Sequence, residues 1–121
     1  YPVCSQDFAL DLTGCPTARE AFEKLASLVP RLVVTLGQEG LLWRWGANEG
    51  FIPAFPVKAC DTTGAGDVFH GAFAGCLALQ KGWEESLLYA SAAAAISCTK
   101  MGGRPGIPSR REVEDLLAAG L

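Results

Sequence analysis

The stretch C-D-T-T-G-A-G-D, Cys60 to Asp67, holds the residues best suited to chemistry. Asp61 and Asp67 flank a turn of small residues, and an apolar helix-like run, V-F-H-G-A-F-A-G, follows at once. Gly64, Ala65 and Gly66 let a ligand approach the backbone with no side chain in the way. Just before a helix, their N–H groups lack intrahelical partners and point outward. The helix dipole adds partial positive charge at the same place. The stretch therefore predicts an anion site, for a static phosphate or for charge developing in a transition state. In the second case one well-placed donor is worth about 3 kcal/mol. A carboxylate beside such a site repels a resident phosphate. Asp67 makes chemical sense there as a base that takes the proton of an acceptor hydroxyl during phosphoryl transfer. The competing reading is structural, with Asp67 as an N-cap on a Gly-rich turn.

These residues need elements to hold them. Y-P-V-C reads as a short strand end. P-T-A-R-E-A-F-E-K-L-A-S-L-V predicts an amphipathic helix, with Thr17 and Glu20 at capping-box spacing and Pro30 as its stop. Ala21, Phe22, Leu25 and Leu28 would share its apolar face. Leu32 to Leu36 predicts a buried strand closed by Gly37. L-L-W-R-W alternates as a strand, and A-N-E-G reads as a turn. F-I-P-A-F-P-V reads as an edge strand because of its prolines. After the glycine turn a helix is expected from about Asp67 to Lys81, broken by Gly82. The alanine-rich W-E-E-S-L-L-Y-A-S-A-A-A-A-I-S-C-T-K predicts a second helix, ended by Met101-Gly102-Gly103. R-P-G-I-P is a loop. Ser109 and Glu112 form another capping box before a final helix, R-E-V-E-D-L-L-A-A. The pattern is α/β with a mixed sheet.

Taken whole, Asp61-Thr62-Thr63-Gly64-Ala65-Gly66-Asp67 resembles the D-T-x-G-A-G-D signature of the ribokinase-like, or PfkB, carbohydrate kinase family. V-V-T-L-G-Q-E-G, Val33 to Gly40, looks like that family's T-L-G-x-x-G strand and turn. A-A-A-A-I-S-C-T-K-M-G-G-R-P-G-I-P-S-R-R-E-V looks like its C-terminal helix, ATP-side loop and closing helix. The resemblance spans nearly all of the chain. It implies the C-terminal portion of a ribokinase-like three-layer sandwich, a mixed sheet flanked by helices, with residues 1–121 as the ATP-binding and catalytic part. The activity implied is ATP-dependent phosphorylation of a sugar, nucleoside or related alcohol. Asp67 would be the general base, with Gly64, Ala65 and Gly66 lining the anion hole over the γ-phosphate. Thr35, Gly37 and Gly40 match positions that contact ATP. Mg²⁺ would bridge the ATP phosphates. Asp61 and Thr63 match positions around a monovalent cation site, for K⁺, which Ser97, Lys100, Gly102 and Gly106 would complete through backbone carbonyls.

The sequence departs from the family pattern in two respects. The family's N-x-x-E, which supports magnesium near the phosphates, aligns with S-Q-D-F, so Ser5 and Phe8 stand in place of Asn and Glu. Asp7, next door, is the candidate to substitute through water. The chain is also short for the family. The start at Tyr1 reads as non-native, and the half expected to carry the glycine-rich first signature, the sugar pocket and the lid is not in it. An isolated piece of this kind should expose apolar surface and self-associate. Sedimentation as a clean monomer would contradict that.

Composition narrows the alternatives. Of 121 residues 50% are hydrophobic, which supports a packed core rather than disorder. A net charge of −3 without like-charge blocks disfavours a nucleic-acid surface. No apolar run reaches the ~18 residues of a membrane span. Five cysteines (Cys4, Cys15, Cys60, Cys76 and Cys98) without a C-x-x-C pair predict buried free thiols in a reducing cytoplasm, not a metal cluster or a disulfide framework. His70, one turn after Asp67, could reach the cleft, but a partly buried helix residue is the default. Arg104 and Lys58 read as solvated. Trp43 and Trp45 share a strand face, by default as core. A homodimer is carried as a candidate assembly. The rival from another class is a non-catalytic nucleotide-binding or assembly module that keeps the fold. A dinucleotide-binding oxidoreductase fits poorly, because no G-x-G-x-x-G follows the first strand.

Overall fold

The computed structural model describes residues 3–57, 64–99 and 108–119. The chain divides into two compact units, Tyr1–Pro53 and Ala54–Leu121.

The first unit is a four-stranded mixed sheet with two helices. Its strands are β1 (Val3–Ser5), β2 (Arg31–Thr35), β3 (Leu41–Trp45) and β4 (Asn48–Ile52), in spatial order β1-β2-β3-β4. β1 runs parallel to β2, and β2–β3–β4 form an antiparallel meander. The parallel pair requires a crossover, which α1 (Gln6–Thr13) and α2 (Ala18–Ala26) supply. Their inner faces meet the sheet in one cluster. Ala9, Ala21, Phe22 and Ala26 pack with Leu32, Val34 and Leu42. Helix α2 starts as its capping residues dictate, with Thr17 Oγ1 accepting from the Glu20 N–H at 3.2 Å.

Several boundaries differ from those the sequence suggests. Helix α1 was not expected. Ser5 is its N-cap, with Oγ accepting from the Phe8 N–H at 3.2 Å, and Gly14 closes it in the left-handed conformation. Helix α2 stops at Ala26, well short of Pro30. Leu28 therefore does not join its apolar face and is 74% exposed. Phe8 and Leu12 of α1 are also exposed, and with Leu28 they border one apolar hollow of about 240 Å³. The strand β2 is Arg31–Thr35 rather than Leu32 to Leu36. The A-N-E-G segment is mostly strand, because Gly46, at φ 60°, makes the turn earlier. β4 keeps only Phe51 and Ile52 of F-I-P-A-F-P-V; Pro53 has no N–H for a ladder.

Trp43 lies in the core as expected, but Trp45, two residues on along β3, does not: it is 37% exposed and carries Arg31 over its ring at 4.1 Å. Arg44 pairs with Glu49 of β4 at 3.0 Å. Trp43 lies opposite Gly50 in the ladder. A Cβ on Gly50 would come within 2.5 Å of the indole Cε2 and Nε1. Gly50→Ala is therefore expected to cost about 1–3 kcal/mol through overpacking. The check is the urea midpoint, and an unchanged midpoint would mean that the ring swings aside without loss.

The described residues of the second unit form three helices, α3 (Ala65–Ala78), α4 (Trp83–Cys98) and α5 (Arg110–Ala119). α4 packs against both of the others. Alanines make this close approach possible: Ala92 and Ala93 lie with Phe55 and Val113 in one buried cluster. Phe69, Phe73 and Trp83 form an aromatic row, with centroids 6.0 and 5.4 Å apart. α3 begins at Ala65 and ends at Ala78, before the expected Lys81. α4 ends at Cys98, with Thr99 as its C-cap, before Met101 is reached. At α5 the capping box is complete. Ser109 Oγ accepts from the Glu112 N–H at 3.2 Å, and Glu112 Oε1 accepts from the Ser109 N–H at 3.0 Å.

Cys4, Cys15, Cys76 and Cys98 are free thiols. Among these four described thiols only Cys76 is buried; the other three are half-buried, which corrects the expectation that they are buried. Burial pushes the Cys76 thiol above its ordinary 9.0, against the pull of Lys81 and with a smaller push from Glu85. Burial does the same to Cys4. The unfolded chain therefore releases these protons first, so this contribution to stability is whole below pH 9.0 and falls as pH rises above it. Thermal midpoints should drop from about pH 8 to about pH 10, and drop less in Cys76→Ala. Equal pH slopes in the two proteins would refute the assignment.

Candidate active site

The residues predicted to act on phosphate and hydroxyl come at the start of α3. Gly64 is the N-cap, at φ 79° and ψ 1°, and no side chain makes a capping hydrogen bond there. That left-handed conformation strains any residue with a Cβ. The cap oxygen that Ser5, Thr17 and Ser109 supply to α1, α2 and α5 is thus missing here, as it is at Gly82 of α4, and the leading amides of α3 have no side-chain acceptor among the described residues. Among the described residues, a Cβ on Gly64 or Gly66 would meet nothing within 4 Å. The geometry suits an anion.

Asp67 is the third residue of α3 and exposed, so it is not the N-cap, and the competing structural reading of it is corrected. The Gly64 carbonyl instead accepts the Val68 N–H at 3.0 Å, the ordinary first bond of the helix. His70 is also exposed, not partly buried as expected.

Thr35, Gly37 and Gly40 come together in the first unit, where β2 turns into β3. Thr35 ends β2 and its Oγ1 donates to the Cys4 carbonyl at 3.4 Å, tying the parallel pair. Gly37 sits at φ 62° and Gly40 at φ 122°, ψ −137°, a region that only glycine visits freely. The Leu36 N–H donates to the Gly40 carbonyl at 2.7 Å and closes the turn. These three residues and the start of α3 belong to different units, each described by itself.

Of the implied cation site, only Ser97 lies among the described residues. It is buried in the last turn of α4, with Oγ donating to the Ala94 carbonyl at 2.7 Å. Carbonyls in a last turn lack onward helical partners and stand at the negative end of the dipole, which suits a cation. Asp61, Thr63, Lys100, Gly102 and Gly106 lie outside the described residues, as do Lys58, Cys60 and Arg104. Among the described residues no three His, Cys, Asp or Glu gather as a metal site. Asp7 is exposed in the first turn of α1, beside the cap Ser5.

The family model for pfkB family carbohydrate kinases matches residues 9–110. The chain belongs to this family. Among PfkB relatives, a ribokinase from Bacillus subtilis (strain 168) is 45% identical over 96 residues, 79% of this chain and 33% of that protein. A solved Arabidopsis thaliana ribokinase, complexed with ribose and ATP, is 33% identical at a TM-score of 0.86, over 96% of this chain and 40% of that one. An E. coli structure in complex with ATP and Mg²⁺ is 27% identical at a TM-score of 0.85, over 97% and 38%. The α/β fold is thus that of the ribokinase-like kinases. The chain spans about a third of the length of the curated relatives it matches. No described helix is long and apolar enough to cross a membrane.

Helix α1 is the main element that sequence reasoning missed. Its signal was present in the Ser5 cap. The acid that usually completes a capping box, three residues on, is replaced by Phe8, and only half of the motif remained to be read.

Proposed function

We propose that the protein of which this chain forms part is an ATP-dependent kinase of a sugar or related alcohol, and that this chain is its C-terminal, ATP-binding and catalytic part. The observation that carries the reading is the start of α3, where an uncapped helix N-terminus stands beside an exposed carboxylate three residues in. The ribose, ATP and Mg²⁺ held by its solved relatives support the same reading.

In this mechanism ATP supplies the γ-phosphoryl group, and Mg²⁺ neutralises phosphate charge when bound. The amides of Gly64, Ala65 and Gly66 hold the γ-phosphate oxygens and stabilise the charge they carry at transfer. Asp67 accepts the proton of the acceptor hydroxyl. That oxygen then bonds to the γ-phosphorus in line with the bond to the ADP oxygen, which breaks as ADP leaves. Thr35, Gly37 and Gly40 form the nucleotide-side turn, where glycine leaves backbone free to approach the ligand. Asp7 would help to hold the metal, through water, in place of the family's glutamate. A monovalent cation would sit at the Ser97 end of α4, and Asp61 and Thr63 match family positions that would share it.

The test is ATP turnover by the full-length protein over D-ribose, D-fructose and nucleosides, with ATP binding measured in parallel. Phosphorylation of one acceptor supports the kinase. Tight ATP binding with no turnover across the panel would replace it by the non-catalytic module, a reading that the loss of the N-x-x-E glutamate at Phe8 favours.

A further inference from the structure

We propose that His70 contacts the acceptor substrate beside Asp67 and helps to choose which polyhydroxylated compound is phosphorylated; this rests on the kinase reading above. His70 follows Asp67 by three residues on α3, so the two side chains share a face, with Cβ atoms about 5–6 Å apart. Both are exposed. The rest of that face is bare. The other exposed residues of α3 are Gly66, Gly71, Ala74, Gly75 and Ala78. Asp67 and His70 are therefore the only exposed side chains of this helix that reach beyond a methyl group. Among the described residues, a Cβ on Gly66 or Gly71, beside the pair in sequence, would meet nothing within 4 Å.

The ring has an anchor on one side only. It meets the buried Phe69 edge-on, at 6.2 Å between centroids and 82° between planes. No described residue gives it a hydrogen bond or an ion pair. Its position along α3 separates the two substrates. A phosphate takes the leading amides at Gly64 to Gly66, and His70 lies one turn further from that end, past Asp67. A hydroxyl that reaches Asp67 brings its neighbouring hydroxyl toward His70. An imidazole both donates and accepts, which suits a second hydroxyl of a polyol. His70 is accordingly a specificity residue for the acceptor and not for the nucleotide.

The experiment uses the full-length protein and the better acceptor of D-ribose and D-fructose. His70→Ala should raise the acceptor KM about tenfold, the size of one lost hydrogen bond, and leave the ATP KM within about twofold. His70→Gln, which keeps a donor and an acceptor, should recover most of the loss. An acceptor KM unchanged in His70→Ala, or a rise confined to ATP, overturns the proposal. So does failure of Gln to improve on Ala, because a packing role would give that result. A second measurement needs no variant. Diethylpyrocarbonate labelling of the His70 peptide in the unmutated protein should be suppressed by saturating sugar and not by ATP alone; labelling that sugar leaves unchanged overturns the proposal. No turnover by the unmutated protein overturns the kinase reading and this inference together. Turnover with an indifferent His70 overturns the inference alone.

Discussion

Asp67→Asn in the full-length protein is expected to lower kcat by about 10²–10⁴-fold and to leave the KM for ATP within a few-fold. The substitution keeps size and helix position and removes only the capacity to take a proton. Asp67 caps nothing: Gly64 holds that position, and the first helical bond runs from the Val68 N–H to the Gly64 carbonyl. The structural cost is limited to a first-turn charge on the helix dipole, about 0.3–1 kcal/mol. A large fall in kcat with an almost unchanged melting temperature thus separates chemistry from folding. Activity within a few-fold of the unmutated protein would sink the general-base role. The anion hole would then have to carry transfer to an acceptor that loses its proton to water.

Phe22→Ala is the corresponding test of the first unit, with an expected loss of about 3–5 kcal/mol. Phe22 is 0% exposed and lies at the centre of the cluster that seats α1 and α2 on β2 and β3. Its immediate neighbours Ala21 and Ala26 are small and cannot expand into the space, so the cavity would persist. Such a loss is a large share of the roughly 5–15 kcal/mol that stabilises a typical domain. Urea unfolding of the full-length protein should show a lower midpoint with the slope kept. A loss below about 1 kcal/mol would mean that the helices can collapse onto the sheet without the ring.

The candidate residues of the two units differed in how far the sequence revealed them. Gly64, Gly37 and Gly40 were legible because positive φ selects glycine, and a motif built on glycine states its backbone directly. Caps at Thr17 and Ser109 were legible for the same local reason, a hydroxyl three residues before an acid. Helix α1 was not, because Phe8 occupies the acid's place and its ring carries no capping signal. The turn at Gly46 was misplaced because Asn48, Glu49 and Gly50 are poor strand residues on their own. Their pairing with Trp45, Arg44 and Trp43 overrides that preference. The exposure of His70 was hidden by an apolar run that reads as buried throughout. Only the helix phase shows that Phe69 and Phe73 take the inner face while Asp67 and His70 take the other.

The uncapped start of α3 has a thermodynamic consequence. Helices α1, α2 and α5 carry their own hydroxyl acceptors, at Ser5, Thr17 and Ser109, and their starts need no ligand. On the proposed reading α3 is completed from outside, and the phosphate that reacts is also the cap. Free energy that a serine would give permanently to the fold is given only on occupancy. Because the unfolded chain offers no such site, a nucleotide at a hundred times its Kd adds about 2.7 kcal/mol to stability. The protein's resistance to heat would then report the nucleotide concentration around it, and the least stable form would be the one waiting for substrate.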